Sequence, residues 1–379
     1  MIIHFTTVHP RTDTRSRVKQ VATLAQHWQG EVALFVQDGK GDEADRKGQF
    51  RIYDTGTPER GRLRRMTLGA YRMYRAIRGA RPRVAHFHDP ELLPWGFLLR
   101  LSGIRVVYDV HEDVPKQLHH NSNMPTPLRL VATWGYLAFE YLARRFFDAC
   151  VIVVPAQRER FKEDTTVLLA NFPSLAEFPA LPNPPPARVA GRFVYAGGIT
   201  RVRGLLQMLR ALAHVPDDRA SMHLLGVFNS PKLEGEAQAE PGWQKVNFLG
   251  WADRAQIVSE LTSASAGLVL LHPTPQYVIS YPVKMFEYMA AGLPVIASDF
   301  PLWREIVDGA GCGLLVDPMD PAAIARAMQW IIDHPEEAAE MGRRGRAAVE
   351  HTYNWEAEST KLIELYRRLL PAPEEGRPT

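Results

Sequence analysis

The chain has 379 residues, 46% of them apolar, which suits two domains of ordinary size better than one. Lys plus Arg number 45 against 42 for Asp plus Glu, and a net charge of +3 argues against a nucleic-acid-binding coat or an acidic tail. The balance is uneven, because residues 1–185 carry 26 basic and 19 acidic side chains and residues 186–379 carry 19 and 23, so the first half is the one suited to an anionic partner.

In chain order, short β-branched or apolar runs alternate with longer stretches of helical period, the pattern of parallel sheets with crossover helices. Strands are expected at 2–8, 31–36, 83–87, 104–110 and 149–154, with helices at 16–28, 62–79, 91–102 and 126–146. The opening Ile2-Ile3-His4-Phe5 follows no basic, then apolar, leader, so no signal peptide is expected. Six prolines between Pro173 and Pro186 preclude helix or central strand and mark a linker. The alternation then restarts, with strands at 192–196, 222–225, 246–249, 267–271 and 295–298 and helices at 203–213, 253–261, 283–291, 320–333 and 335–350. A last helix, Trp355 to Leu370, either completes the second domain or returns to the first. Two doubly wound domains are expected to bind ligand at the carboxyl ends of their strands. Cys150 and Cys312 lie far apart with neither a CxxC nor a disulfide framework, as in a reducing compartment. The longest uncharged run, Thr262 to Val283, is broken by three prolines and does not suit a bilayer span, so a soluble chain is expected.

Arg192 to Gly204 reads as a strand, the glycine pair Gly197-Gly198, and a helix start carrying Arg201 and Arg203. Glycines admit an anion close to the backbone, helix amides point at it, and guanidinium forks chelate phosphate oxygens, so the segment is a candidate diphosphate cradle. It is neither a Walker loop nor GxGxxG, and a plain strand-to-helix turn with solvated arginines is the alternative. Lys284 and Glu287 share one face of a short helix, where the lysine can meet phosphate and the carboxylate a ribose diol; a surface ion pair is the simpler reading.

These residues resemble a known family. Glu287-Tyr-Met-Ala-Ala-Gly-Leu-Pro-Val-Ile-Ala-Ser298, with the Gly-Gly turn upstream and Gly313-Leu-Leu-Val-Asp-Pro318 downstream, is similar to the retaining glycosyltransferases of family 4, the glycosyl transferases group 1 with the GT-B fold. The likeness extends over nearly the whole chain and includes Val84 to Pro90 and Val107 to Asp113. It implies two Rossmann-like α/β domains: residues 1–172 for the acceptor, a linker over 173–190, and residues 191–354 for the nucleotide sugar, with the helix at 355–372 packing back on the first domain. It also implies that Arg203 meets the diphosphate, that Gly204 is the glycine after it, that Glu287 grips the ribose as the second glutamate of an E-x7-E motif, and that His111 lies by the donor sugar. Two positions depart from the pattern: Ile279 stands where the first glutamate belongs, and Gly198 stands where an arginine is usual, which makes Arg201 or Lys284 the candidate replacement charge.

Further candidates lie in the first half. Asp13 and Arg15 sit in the loop after the first strand, where they can bind acceptor hydroxyls or cap the next helix; His88 is a weaker acceptor candidate, and His86 reads as a satisfied core histidine. No metal site is expected, because the acids and histidines lack helical ligand spacing and Arg203 can neutralise a leaving diphosphate unaided. Residues 59–83 hold nine arginines and one acid, with Leu63, Met66, Ala70, Met73 and Ile77 forming a core stripe and Arg64, Arg65, Arg72, Arg75 and Arg78 on the opposite face, flanked by Tyr71 and Tyr74. That face suits an anionic membrane surface or plain solvent. The segment Thr133 to Ala143 is a second amphipathic candidate, its aromatics either core or a groove for a lipid acceptor. The expected activity is transfer of a sugar from a UDP- or GDP-sugar to a glycan or polyprenyl-linked acceptor with retention of configuration, in bacterial surface polysaccharide synthesis, at the cytoplasmic face of the membrane and with no cofactor beyond the nucleotide sugar. A sugar-nucleotide epimerase and a non-catalytic nucleotide-sugar-binding protein are the alternatives, the latter favoured by Ile279.

Overall fold

The computed structural model describes residues 1–45, 47–110, 114–115, 125–161, 164–178, 180, 188–216 and 219–371. They form two units, Met1–Asn171 with Ala357–Thr379, and Phe172–Glu356.

The first unit is built on β1 (Ile2–Phe5), β2 (Val32–Val36), β3 (Glu43–Ala44), β4 (Arg51–Asp54), β5 (Val84–Phe87), β6 (Arg105–Val110), β7 (Ala149–Ile152) and β8 (Thr166–Leu168). Their order across the sheet is β3-β4-β2-β1-β5-β6-β7-β8, parallel except for β3 against β4. The order reverses direction between β1 and β5, which opens a crevice at their carboxyl ends. β1 and β5 are buried throughout, as strands covered by helices on both faces must be. The chain's last helix, Trp355–Leu369, belongs to this unit from Ala357 onward, and its buried Tyr366 hydroxyl meets His4 Nε2 and His86 Nδ1, each at 2.9 Å.

The second unit carries β9 (Arg192–Ala196), β10 (Ser221–Leu225), β11 (Val246–Gly250), β12 (Ala266–Val269), β13 (Val295–Ser298) and β14 (Gly313–Val316) in the order β11-β10-β9-β12-β13-β14, all parallel. Its reversal falls between β9 and β12. Helices Leu205–His214 and Pro321–Asp333 press Leu205, Leu209, Leu212, Ile324, Met328 and Ile331 into the core. Arg188 is drawn inside to donate to the carbonyls of Leu261, Ala264, Ala291 and Gly292, and burial lowers its pKa to about 10.

Several elements differ from the sequence reading. Strands β3, β4, β8 and β14 and the helices Pro231–Ala239 and Pro301–Ala310 were not expected. The stripe on the basic segment is core only in its second half: Ala70, Met73 and Ile77 are buried, whereas Leu63 and Met66 are exposed. Tyr74 is buried rather than at the shoulder. Its arginines are also less free than the wheel suggests, since Arg65 pairs with Glu91 at 3.0 Å and Arg72 with Glu59 at 2.7 Å.

Candidate functional site

In the second unit, the turn after β9 and the helix Val283–Ala290 meet at the point where strand order reverses, the usual ligand position of an open α/β sheet. Gly197 has φ 131° and faces Lys284 so closely that a β-carbon there would lie 3.1 Å from Nζ. A β-carbon at Gly198 would lie 3.0 Å from Arg203 Nη1, so the guanidinium occupies the space in which a side chain at 198 would begin. Arg203 donates to the Gly198 carbonyl at 3.1 Å, and Tyr195 returns its hydroxyl to the same carbonyl at 2.8 Å. Gly204, at φ 78°, starts helix Leu205–His214 in the left-handed region, and a β-carbon there would lie 1.9 Å from the Leu270 carbonyl oxygen. Its role is therefore to let the chain turn against β12's trailing loop.

The electrostatics of this turn are unbalanced. Lys284 Nζ is buried with no hydrogen-bond partner and sits 3.6 Å from the centre of the Tyr195 ring. Burial, then the charge of Arg203, holds its pKa well below the ordinary lysine value, against an opposing pull from Glu287. Burial also works against the Arg203 charge, but Tyr195 and Tyr277 together hold its pKa above the ordinary arginine value. Thr200 Oγ1, in the same turn, is likewise buried without a partner. Among the described residues no carboxylate forms an ion pair with Arg203 or Lys284. Two cations and an unused hydroxyl around a glycine turn can accept a compact polyanion.

Glu287 and Arg201 stand differently. Glu287 accepts from Arg254 at 2.7 Å, and Arg254 also reaches Glu177 at 2.6 Å and lies over the Phe178 ring. Arg201 is exposed and ion-paired with Glu236, so of the two candidate replacement charges only Lys284 has no acid partner among the described residues. Ile279 is half-buried in the loop before helix Val283–Ala290. Sequence reasoning missed Tyr195, Tyr277 and Arg254. Tyr195 stands two residues before Gly197, at a position its strand alternation marks only as core.

In the first unit, Asp13 caps the following helix, accepting from the Ser16 amide at 2.7 Å and its hydroxyl at 2.9 Å. Arg15 is buried and forks onto Asp109 at 2.9 and 3.0 Å while donating to the Leu169 carbonyl at 3.1 Å. His88 is buried as well, 3.1 Å from His4 and 3.3 Å from Asp109. Arg15 and His88 are thus inward-facing parts of a polar network rather than an open hydroxyl-binding surface. His111 lies outside the described residues. Among the described residues His4, His86 and His88 form one grouping whose ligand-capable atoms lie within 4.8 Å of one another. It joins β1 to the end of β5, so helical spacing does not reveal it. Its rings are tilted or stacked face to face, with His4 and His86 centroids 4.2 Å apart.

Comparisons with known proteins agree with this layout. The model of the glycosyl transferases group 1 matches residues 190–348, and that of Glycosyltransferase Family 4 matches residues 18–201. The phosphatidyl-myo-inositol mannosyltransferase of Mycobacterium leprae is 25% identical over 295 residues, 75% of this chain and 72% of that protein. The D-rhamnosyltransferase WbpZ of Pseudomonas aeruginosa is 28% identical over 41% of this chain, a match that spans only 39% of that relative's length. Among solved structures, sucrose-phosphate synthase from Thermosynechococcus elongatus superposes with a TM-score of 0.77 at 21% identity, covering 98% of this chain and 99% of that one. Anabaena HepE in complex with UDP-glucose gives 0.71 at 15% identity, covering 97% and 100%. At such identities these structures speak for the fold alone.

Proposed function

We propose that this chain, which has the GT-B fold, is a glycosyltransferase that transfers a sugar from a nucleoside-diphosphate donor to a glycan or polyprenyl-linked acceptor with retention of configuration, in the building of a bacterial surface polysaccharide. The observation that carries the donor assignment is the pair of basic side chains, Arg203 and Lys284, that face the Gly197-Gly198 turn with no acid partner among the described residues. HepE, of the same fold, is described in complex with UDP and with UDP-glucose, which supports a donor of this class.

In this reading the bond from the sugar's anomeric carbon to the diphosphate breaks as the acceptor hydroxyl oxygen bonds to that carbon on the same face. The hydroxyl proton passes to the departing phosphate oxygen, and charge gathers on the diphosphate. Arg203, Lys284 and the amides opening helix Leu205–His214 stabilise that charge in place of a metal ion. Glu287, steadied by Arg254, binds the ribose diol. Gly197, Gly198 and Gly204 shape the turn rather than contact the donor through side chains.

The test is incubation of the protein with UDP-, GDP- and ADP-sugars, each with and without a bacterial lipid extract. Nucleotide release that requires the extract, with the product's anomeric configuration kept, supports the proposal. Sugar isomerisation without acceptor would mark an epimerase, and binding without turnover a sensor, the outcome that Ile279 favours.

Two further results are expected. The diphosphate should raise the depressed Lys284 pKa, so binding takes up a proton at pH values between the unliganded and the liganded pKa. Affinity is then full below the unliganded pKa and declines as pH rises through it toward the liganded one. Calorimetry in buffers of different ionisation enthalpy checks the proton uptake; pH-independent affinity would show that Lys284 does not face the ligand. Glu287→Gln should raise the donor KM roughly 10-fold, the order expected for losing a charged hydrogen bond, and the nucleotide without its ribose hydroxyls should be insensitive to the change.

We also propose that the exposed arginines of the segment Arg62–Ala80, among them Arg62, Arg64 and Arg75, meet anionic headgroups, placing the enzyme on the inner face of the cell membrane. No helix among the described residues is long and apolar enough to cross a bilayer.

A further inference from the structure

Helix Thr126–Phe146 has the opposite polarity to that of a water-facing surface helix. Its buried side carries Tyr136, Ala143 and the acid Glu140, which Arg160 meets at 3.2 Å. Its outer side exposes Leu128, Val131, Trp134, Phe139, Leu142 and Phe146, with Val131 at 69% and Trp134 at 70%. At 100° per residue these six fall within one face, and over 21 residues that face runs about 30 Å. Helix Leu93–Leu101 lies beside it, the Phe97 ring 6.3 Å from that of Phe139, and adds exposed Leu98 and Leu101. Soluble monomers seldom expose so continuous an apolar surface.

We propose that this face is a membrane-docking surface, lying in the plane of an anionic lipid interface with its apolar side chains among the acyl chains. The charge of this face selects lipid over a second copy of this chain. The exposed charged residue on the helix is Arg145, and its acid, Glu140, points inward, so the face presents only positive charge. A second copy of this face offers Arg145 no acid to pair with, whereas anionic headgroups complement it. Tyr141 and Trp134 add the amphipathic aromatics suited to the boundary between headgroups and acyl chains. The proposal shares the membrane with the preceding reading but places the contact on a different helix and gives it an apolar rather than a purely electrostatic basis.

The experiment is sedimentation with vesicles of phosphatidylcholine alone and mixed with phosphatidylglycerol, at low and high salt. It compares the wild type, a variant carrying Trp134→Glu, Phe139→Glu and Leu142→Glu, and a variant carrying Arg62→Glu, Arg64→Glu and Arg75→Glu. The wild type should bind the mixed vesicles and keep part of that binding at high salt. The apolar-face variant should lose about a hundredfold in partitioning, as removal of three inserting side chains implies. Its thermal transition and nucleoside-diphosphate binding should be unchanged, because these side chains face outward. Quenching of wild-type fluorescence by brominated acyl chains should fall in Trp134→Phe. Binding lost only in the arginine variant would overturn this inference and leave the basic-segment reading standing; no binding by the wild type would sink both. A wild-type dimer that the apolar-face variant dissociates, without vesicle binding, would assign the face to a second copy and also overturn the proposal.

Discussion

Arg203→Ala is expected to lower turnover on the order of 100-fold or more, the cost usual for losing a preorganised stabiliser of transition-state charge. The guanidinium lies against the Gly198 carbonyl and is held by Tyr195 and Tyr277, so it is already oriented before any ligand arrives. Its charge has no acid partner among the described residues, and its removal leaves no buried carboxylate stranded. The loss should therefore fall on kcat, with little change in thermal stability. Arg203→Lys should recover only part of the activity, because a point charge cannot reproduce a planar fork. Steady-state kinetics on whichever donor proves active supplies the check, and an unchanged kcat would remove Arg203 from the chemistry.

The second large effect concerns stability. Arg15→Met should destabilise the first unit by about 3–5 kcal/mol, the penalty for leaving one member of a buried ion pair alone. Asp109 is fully buried, takes both Arg15 bonds and a third from Gln20 at 2.7 Å, and stands beside His88. Burial and the neighbouring histidines hold the His4 pKa well below its ordinary value, so His4 offers no compensating charge. Denaturant unfolding measures the loss, and Arg15→Met combined with Asp109→Leu should recover much of it. If Arg15 instead bound acceptor, the single variant would unfold normally and raise only the acceptor KM.

The two sheets were legible because their central strands are apolar but for His4, His86 and Ser298: Ile2 to Phe5, Val84 to Phe87 and Val295 to Ser298 are buried at every position. The outlying strands β3, β4, β8 and β14 were not, although the edge strand β11 was. β3 is the dipeptide Glu43-Ala44, and β4 buries Ile52 between Arg51 and half-buried Tyr53, so neither carries an apolar period. Helices Pro231–Ala239 and Pro301–Ala310 open on prolines that also punctuate loops, which hides them in a sequence rich in proline. In the candidate site, the glycine turn and Arg203 carry their chemistry in their residue types, and Lys284 and Glu287 in their spacing. Which basic side chain is left without an acid partner was not legible, because it depends on Glu236 reaching Arg201 from another helix and on no acid among the described residues pairing with Lys284. The Arg15 ion pair was not legible for the same reason: Asp109, its partner, lies 94 residues away.

The central claim is that the Gly197-Gly198 turn, with Arg203 and Lys284, holds a diphosphate. Calorimetric affinities of UDP, GDP and ADP, each set against its own nucleoside, test it most directly when repeated in Arg203→Ala and Lys284→Met. The diphosphate should bind much more tightly than the nucleoside in the wild type, and each substitution should collapse that difference while leaving nucleoside binding nearly unchanged. An undiminished preference for the diphosphate in both variants would contradict the claim.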